Sequence, residues 1–438
     1  MASLLFYGLG VGSFALILVC ICLFNYYVSL PLHSVVSHTK RKFILLVAVG
    51  ANLLALMYFK YSGFLIISAN ELLARVGLAG WTKVPQIVMP IGISFFTFAA
   101  VSYVVDVYKH RENPPTKLID FMAYLAAFPV LLAGPILRLG NVRNELANRS
   151  IAVDDIFQGM LRFTTGLAKK VILADNLGEV AAAIFKLPTN ELSASVAWIG
   201  AVCYTLQIYF DFSGYTDMAI GLGRLIGFKY PENFNQPYRS KSITEFWRRW
   251  HMTLTSWFRD YLYIPMGGNK KGNFRTYINL FTVFLLCGLW HGASYTFLIW
   301  GLYHGILLVT ERILKNQFDF VPRGINGMIV TNLLVMFGWV VFALPTLPAA
   351  ISYISSMFSL SPGAWQFFGV SYYLTNDKLV VLILAVILAV FPFERLAKWN
   401  LSETSLFLAK GSFSMAIFVL SVILMSTQTF KPFIYFQF

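Results

Sequence analysis

Charge is scarce in this chain: Asp, Glu, Lys and Arg make up 12% of its 438 residues, about half the share of a soluble globular domain. No long hydrophilic block interrupts it, which excludes a separate water-soluble domain. With 58% hydrophobic residues and a mean hydropathy of +0.67, it lacks the polar cover that one soluble globule needs. Cysteine is nearly absent. Cys20, Cys22, Cys203 and Cys287 sit inside apolar runs without paired metal spacing, so they read as small buried hydrophobes rather than ligands or a redox pair. No metal site is expected. The apolar run from Met1 to Phe24 has no basic leader and no small-residue cleavage site, which points to a retained first span. Internal repeats and low-complexity tracts are also missing.

What is present is a succession of apolar runs long enough for ~30 Å of hydrocarbon. They cover Leu4–Leu30, Phe43–Tyr61, a shorter Phe64–Gly80 that reads as tilted or interfacial, Val84–Tyr108, Phe121–Leu137 and Ile156–Phe185. Ser193–Phe212, Tyr277–Trp290, Tyr295–Ile313, Met328–Leu344, Leu379–Phe391 and Phe413–Met425 follow. The expected fold is an all-α integral membrane protein with about eleven transmembrane helices plus re-entrant or interfacial ones, forming one domain over residues 1–438.

Lys and Arg outnumber Asp and Glu by 34 to 20, a net charge of +14. In a soluble protein this would point to nucleic acid. In a membrane chain it marks loops facing the cytoplasm, with anionic membrane lipid or a phosphorylated substrate sharing the same charge. No nucleic-acid partner is expected. The loop His38–Lys42 predicts an outside N-terminus and a cytoplasmic first loop. Ile156–Phe185 carries Lys169 and Lys170, so it reads as amphipathic or as long enough for them to snorkel.

Between Gly214 and Phe274 charge and aromatics rise and continuous apolar runs vanish. Polar groups among spans persist mainly where function needs them. Gly221-x-Gly223-x-x-x-Gly227 has the wrong spacing for a dinucleotide fingerprint and reads as close helix packing. Gly267-Gly268-Asn269-Lys270 lacks the P-loop spacing and reads as a turn. Ser242-Ile243-Thr244-Glu245 has the capping-box spacing, so a helix should start near Ile243. Phe246, Trp250, Thr253 or Leu254, and Trp257 would then form one stripe of a helix lying at or just under a membrane interface.

Of six histidines, His33, His38 and His110 lie in short basic loops and read as solvated. His251 sits among tryptophans, His291 ends an apolar span, and His304 follows thirteen residues later. A lone histidine in a membrane helix reads equally as an interhelical hydrogen bond or as a functional group.

Phe246-Trp247-Arg248-Arg249-Trp250-His251, Phe258–Pro265 and Leu289-Trp290-His291-Gly292 resemble elements of the membrane-bound O-acyltransferase family. The resemblance is strongest to its polysaccharide O-acetylation branch, and the motifs lie within residues 208–305. Tyr209–Arg224, Pro231–Tyr238, Met89–Phe98 and Phe433–Phe438 extend it. It implies helices around a central tunnel, His291 as the catalytic histidine, and His251 as a second polar residue of the site. It also implies acetyl-CoA as donor substrate, with no bound cofactor. The basic mouth at Arg239, Lys241, Arg248 and Arg249, beside Trp250, would meet the donor's phosphates. An extracytoplasmic acetyltransferase partner would then pass the acetyl group to a polysaccharide, placing the chain in a bacterial cytoplasmic membrane.

In the chemistry this implies, an imidazole takes the acceptor's hydroxyl proton. His251 is expected to donate a hydrogen bond to the thioester carbonyl or to hold the donor. No serine elbow is present and no thiol lies beside either histidine, so direct transfer is the simplest scheme. A branch exporting D-alanine to teichoic acid is the alternative within the family. A transporter, channel or accessory subunit is the alternative outside it, although transporters usually carry an internal repeat.

Overall fold

The computed structural model describes residues 2–34, 37–81, 84, 87–319, 324–359, 369–392, 403–427 and 432–434. Every regular element among them is helical. Five helices are long and apolar enough to cross a bilayer: Ala2–Ser34, His38–Arg75, Tyr295–Phe318, Gly324–Ala343 and Ser405–Thr427. The protein is thus an all-helical, multi-pass membrane protein. The end of the Phe433–Phe438 motif, residues 435–438, lies outside the described residues.

Several expected spans differ in form. Phe43–Tyr61 and the Phe64–Arg75 part of the expected Phe64–Gly80 segment belong to one continuous helix, His38–Arg75. Ser62 and Gly63 sit inside it, with the Ser62 hydroxyl turned back onto the carbonyl of Tyr58 at 2.7 Å. The helix expected from Val84 begins only at Ile93, after Gly92 with φ of 82°, a conformation open to glycine. Phe121–Leu137 is not a span. It divides into Leu118–Leu125 and Phe128–Leu131, since Pro129 supplies no amide to continue a helix. Cys20 is exposed on the chain's surface, whereas Cys22, Cys203 and Cys287 are buried as expected.

Ser193–Phe212 runs on to Leu225 as one helix, Ala194–Leu225. The polar residues after Phe212 stay helical because a neighbouring segment satisfies them. That segment is Val153–Ala168, a π-helical stretch Lys169–Ala174, and Asp175–Phe185. Lys169 and Lys170 do not snorkel. Lys169 Nζ lies 2.6 Å from Asp217, and Lys170 Nζ lies 2.7 Å from Asp211 and 2.8 Å from Asp175. Glycine permits the approach, as expected: a Cβ on Gly221 would stand 2.6 Å from the Phe163 amide. Asp211 also accepts the Ile434 amide at 2.8 Å, tying the chain's last described residues to this helix.

The basic segments converge on one face. Arg41 donates to the Tyr108 carbonyl at 2.5 Å, and the His33 and His110 rings lie 5.8 Å apart. Tyr261 donates to Asp106 at 2.5 Å, and Arg138 pairs with Asp260 at 2.8 Å. Hydrogen bonds from Arg259 and Arg138 outweigh burial and hold the Asp260 carboxyl below its usual range.

Candidate active site

Ser242 caps the helix start, its hydroxyl accepting the Glu245 amide at 3.1 Å, while the Glu245 carboxylate takes the Lys241 amide at 2.9 Å and so leaves the reciprocal half of the box unmade. Glu311, from the Tyr295–Phe318 helix, adds a second cap by accepting the Ile243 amide at 2.6 Å. The helix then stops early. Instead of one interfacial helix there are two short ones, Ile243–Arg249 and Met252–Phe258. The break falls at His251, in the left-handed region with φ of 43°, which a non-glycine residue rarely adopts. Trp247, Trp250 and Trp257 are all buried within the protein. The protein has drawn the motif inward.

The loop Pro231–Tyr238 holds the break open. Its Asn233 carbonyl accepts the Met252 amide at 2.8 Å, and Asn235 donates to the Arg249 carbonyl at 2.9 Å. The Asn233 side-chain oxygen takes the Thr253 amide at 3.2 Å and the Thr253 hydroxyl at 2.9 Å. The same oxygen lies 3.0 Å from His251 Nδ1. Because a backbone N–H points at this atom, it must be the amide oxygen, so Nδ1 carries the proton and donates. Neutral His251 therefore presents its lone pair at Nε2. It is an acceptor there, and the expected donation to a thioester carbonyl does not fit this tautomer.

His291 is the last residue of the Gly272–His291 helix, which packs on Tyr295–Phe318 at a glycine contact. A Cβ on Gly288 would stand 2.2 Å from the Phe297 carbonyl. The His291 ring is buried against Trp290, Trp300 and Phe342, with centroids 4.8, 5.0 and 5.3 Å away. Trp290 also meets the His251 ring at 6.0 Å. Residues 40 positions apart in sequence thus pack on one indole.

His304 is fully buried against Trp247 and Trp300, and neither of its ring nitrogens has a hydrogen-bond partner among the described residues. It fills an aromatic cluster rather than bonding across helices.

One cavity borders His291, and a larger one reaches the loop that positions His251. One, of about 60 Å³, is bordered by His291, Trp290, Lys60, Ser94 and Gly92. The Met89–Phe98 motif thus supplies one of its walls. The other, of about 710 Å³, lies between Ala194–Leu225, the π-helical stretch, and the helices Asn376–Val390 and Glu403–Thr427. Arg162, Lys169, Asp217 and Glu232 give it a charged wall, while Leu384 and Phe413 give an apolar one. Phe234, Asn235 and Gln236 bring it to the loop that positions His251.

The expected donor residues are only partly gathered. Arg239 donates to Gln236 at the edge of the larger cavity. Arg249 donates to the Asn235 carbonyl at 3.1 Å and to Glu245 at 2.9 Å. Lys241 and Arg248 are exposed and outside that lining. Trp250 is buried between Phe246 and Trp339, at centroid distances of 5.5 and 4.8 Å. It is a packing residue here, apart from either cavity. Sequence reasoning missed Asn233 and Lys60. A lysine inside the apolar run Tyr58-Phe59-Lys60-Tyr61 was the available signal for the second.

The pattern of the MBOAT, membrane-bound O-acyltransferase family matches residues 109–347. The chain is 41% identical over 458 aligned residues to the "Probable alginate O-acetylase AlgI" of Pseudomonas putida, covering all of this chain and 93% of that protein. It is 34% identical to the peptidoglycan O-acetyltransferase of Helicobacter pylori, covering 82% of this chain and 73% of the relative. To the teichoic acid D-alanyltransferase of Bacillus subtilis it is 29% identical, covering 58% and 68%. By this match and these relatives, the chain belongs to the membrane-bound O-acyltransferase family and is an acyltransferase.

Proposed function

We propose that this enzyme moves an acetyl group from cytoplasmic acetyl-CoA across a bacterial cytoplasmic membrane, for O-acetylation of an exported or cell-surface polysaccharide. About eleven crossings would surround the tunnel that carries it. The observation that carries this reading is the packing of His251 and His291 on the single indole of Trp290. The acetylase names of the relatives support a polysaccharide acceptor. The D-alanyl relative aligns over a smaller part of the chain, which favours acetyl over D-alanyl transfer.

In this mechanism the donor enters by the 710 Å³ cavity, with its phosphates near Arg239 and Arg249 and the exposed Lys241 and Arg248 attracting them from solution. His251 Nε2 accepts an N–H of the donor and holds it. His291 takes the acceptor's hydroxyl proton, as a neutral imidazole does in general-base catalysis. The Gly272–His291 helix begins next to Lys270 and Lys271. Its 20 residues, rising ~1.5 Å each, carry His291 about 30 Å from that basic loop. The histidine would then lie at the extracytoplasmic end, within reach of a partner acetyltransferase that serves the polysaccharide.

The test is transfer of radiolabelled acetyl from acetyl-CoA into polymer by membranes containing the wild-type or His291→Ala protein. The variant should lose activity ~10²–10⁴-fold at an unchanged protein level. Retention of more than about a tenth of the activity would remove His291 from the role of base.

A further inference from the structure

Helix termini leave their last carbonyls without intrahelical partners. At the end of Gly272–His291 two adjacent side chains of the His38–Arg75 helix cover three consecutive carbonyls. Tyr61 donates its hydroxyl to Leu289 at 2.9 Å. Lys60 Nζ lies 2.5 Å from the Trp290 carbonyl and 3.3 Å from that of His291. A cation suits the negative end of a helix dipole, but capping alone does not require one. A hydroxyl would serve, and an ammonium in apolar surroundings is costly to keep.

The rest of the geometry gives the charge a use. The Lys60 ammonium has three N–H donors, and the two carbonyls engage two of them. Lys60 also borders the 60 Å³ cavity together with His291 and Ser94. That space holds water or a group the size of an acetyl, not a sugar. Acyl transfer places negative charge on the carbonyl oxygen, which preorganised donors must meet. His251 cannot do so in its Asn233-bonded neutral tautomer.

We propose that Lys60 is a further catalytic residue, donating its remaining N–H to the acetyl oxygen as that oxygen becomes an oxyanion, while its other two bonds fix the end of the helix that carries His291. This rests on His291 acting as base. The acceptor oxygen bonds to the acetyl carbon as its proton passes to His291, and the carbonyl pair moves onto oxygen beside Lys60. When the carbonyl re-forms, the C–S bond breaks and the leaving thiolate takes the proton back from His291. Ester and free thiol result, and Lys60 neither gains nor loses a proton.

The experiment compares Lys60→Met, Lys60→Arg and His291→Ala in the acetyl-CoA transfer assay on membranes, with folded protein quantified by detergent size exclusion. Lys60→Met should lower kcat ~100-fold with the KM for acetyl-CoA within about twofold, and Lys60→Arg should restore at least a tenth of wild-type kcat. The proposal is overturned by near-wild-type kcat in Lys60→Met, by an Arg variant no better than Met, or by a loss lying wholly in KM. It is equally overturned if Lys60→Met lowers only the amount of folded protein and leaves its specific activity intact. An active His291→Ala would instead remove the underlying reading of the base, so the two failures are distinguishable.

Discussion

Asn233 holds His251 by its side-chain oxygen, 3.0 Å from Nδ1, while the same oxygen takes the amide of Thr253 at 3.2 Å. This pair sets which nitrogen of the imidazole carries the proton. The Thr253 hydroxyl, itself bonded to Asn233, accepts the Ile136 amide at 3.0 Å. A single asparagine thus joins the helix break, the histidine and the loop after Phe128–Leu131.

The first prediction follows from that tautomer. Asn233→Asp keeps the shape but puts a carboxylate beside the imidazole, which favours the imidazolium and protonates Nε2. If the Nε2 lone pair holds the donor, transfer should fall at least ~10-fold at normal protein level, a loss of about 1.4 kcal/mol in transition-state stabilisation. Unchanged acetyl incorporation would show that the lone pair is not used.

A second prediction concerns stability. Lys170, Asp211 and Asp175 form a buried charge cluster, with the Lys170 and Asp211 side chains 8% and 3% exposed. Removing one partner of a buried pair leaves the other uncompensated, at a cost of ~3–5 kcal/mol. Lys170→Met should therefore lower the thermal midpoint of the purified protein, and adding Asp211→Asn should recover part of that loss. Additive losses in the double variant would mean that the two groups are not energetically coupled.

These two clusters also mark where the sequence stopped being readable. Apolar runs located the crossings well wherever one helix satisfied itself, as in Tyr295–Phe318 and Gly324–Ala343. The helix start at Ser242 was legible because the cap and the amide it accepts lie within four residues. The break at His251 was not, because Phe246, Trp250 and Trp257 fit an unbroken helical period. The bonds that override that period come from Asn233, eighteen positions earlier. The expected span stopped at Phe212, short of Asp217, because the partner that keeps Asp217 in the helix, Lys169, lies on a different segment 48 positions away. His251 and His291 stood out by motif, and the structure packs both on Trp290, whereas Lys60 was hidden in an apolar run by the general habit of lysines to snorkel.

The third prediction concerns the donor entrance. Arg239 and Arg249 adjoin the rim of the larger cavity, whereas Lys241 and Arg248 stand exposed. Arg239→Gln combined with Arg248→Gln should raise the KM for acetyl-CoA several-fold and leave kcat nearly unchanged. The rise should shrink at high salt, because exposed charges are screened within about 10 Å at 0.1 M. A KM that does not move at low salt would leave these residues to membrane topology alone.

The fourth prediction asks whether the two histidines act on one acyl group. Both rings contact Trp290, at 6.0 Å for His251 and 4.8 Å for His291. Residues that work as a unit lose activity non-additively, because the first removal already forfeits what the second would cost. His251→Ala with His291→Ala should therefore transfer acetyl scarcely more slowly than His291→Ala alone. His251→Gln offers a finer discrimination, since a side-chain amide oxygen can accept an N–H as Nε2 does. It should retain more activity than His251→Ala, and its deficit should lie in KM rather than kcat if His251 holds the donor. If the two single losses multiply in the double variant, the histidines contribute independently rather than as one unit on the bound acyl group. Full polysaccharide O-acetylation in cells carrying both substitutions would move the chemistry away from Trp290 altogether.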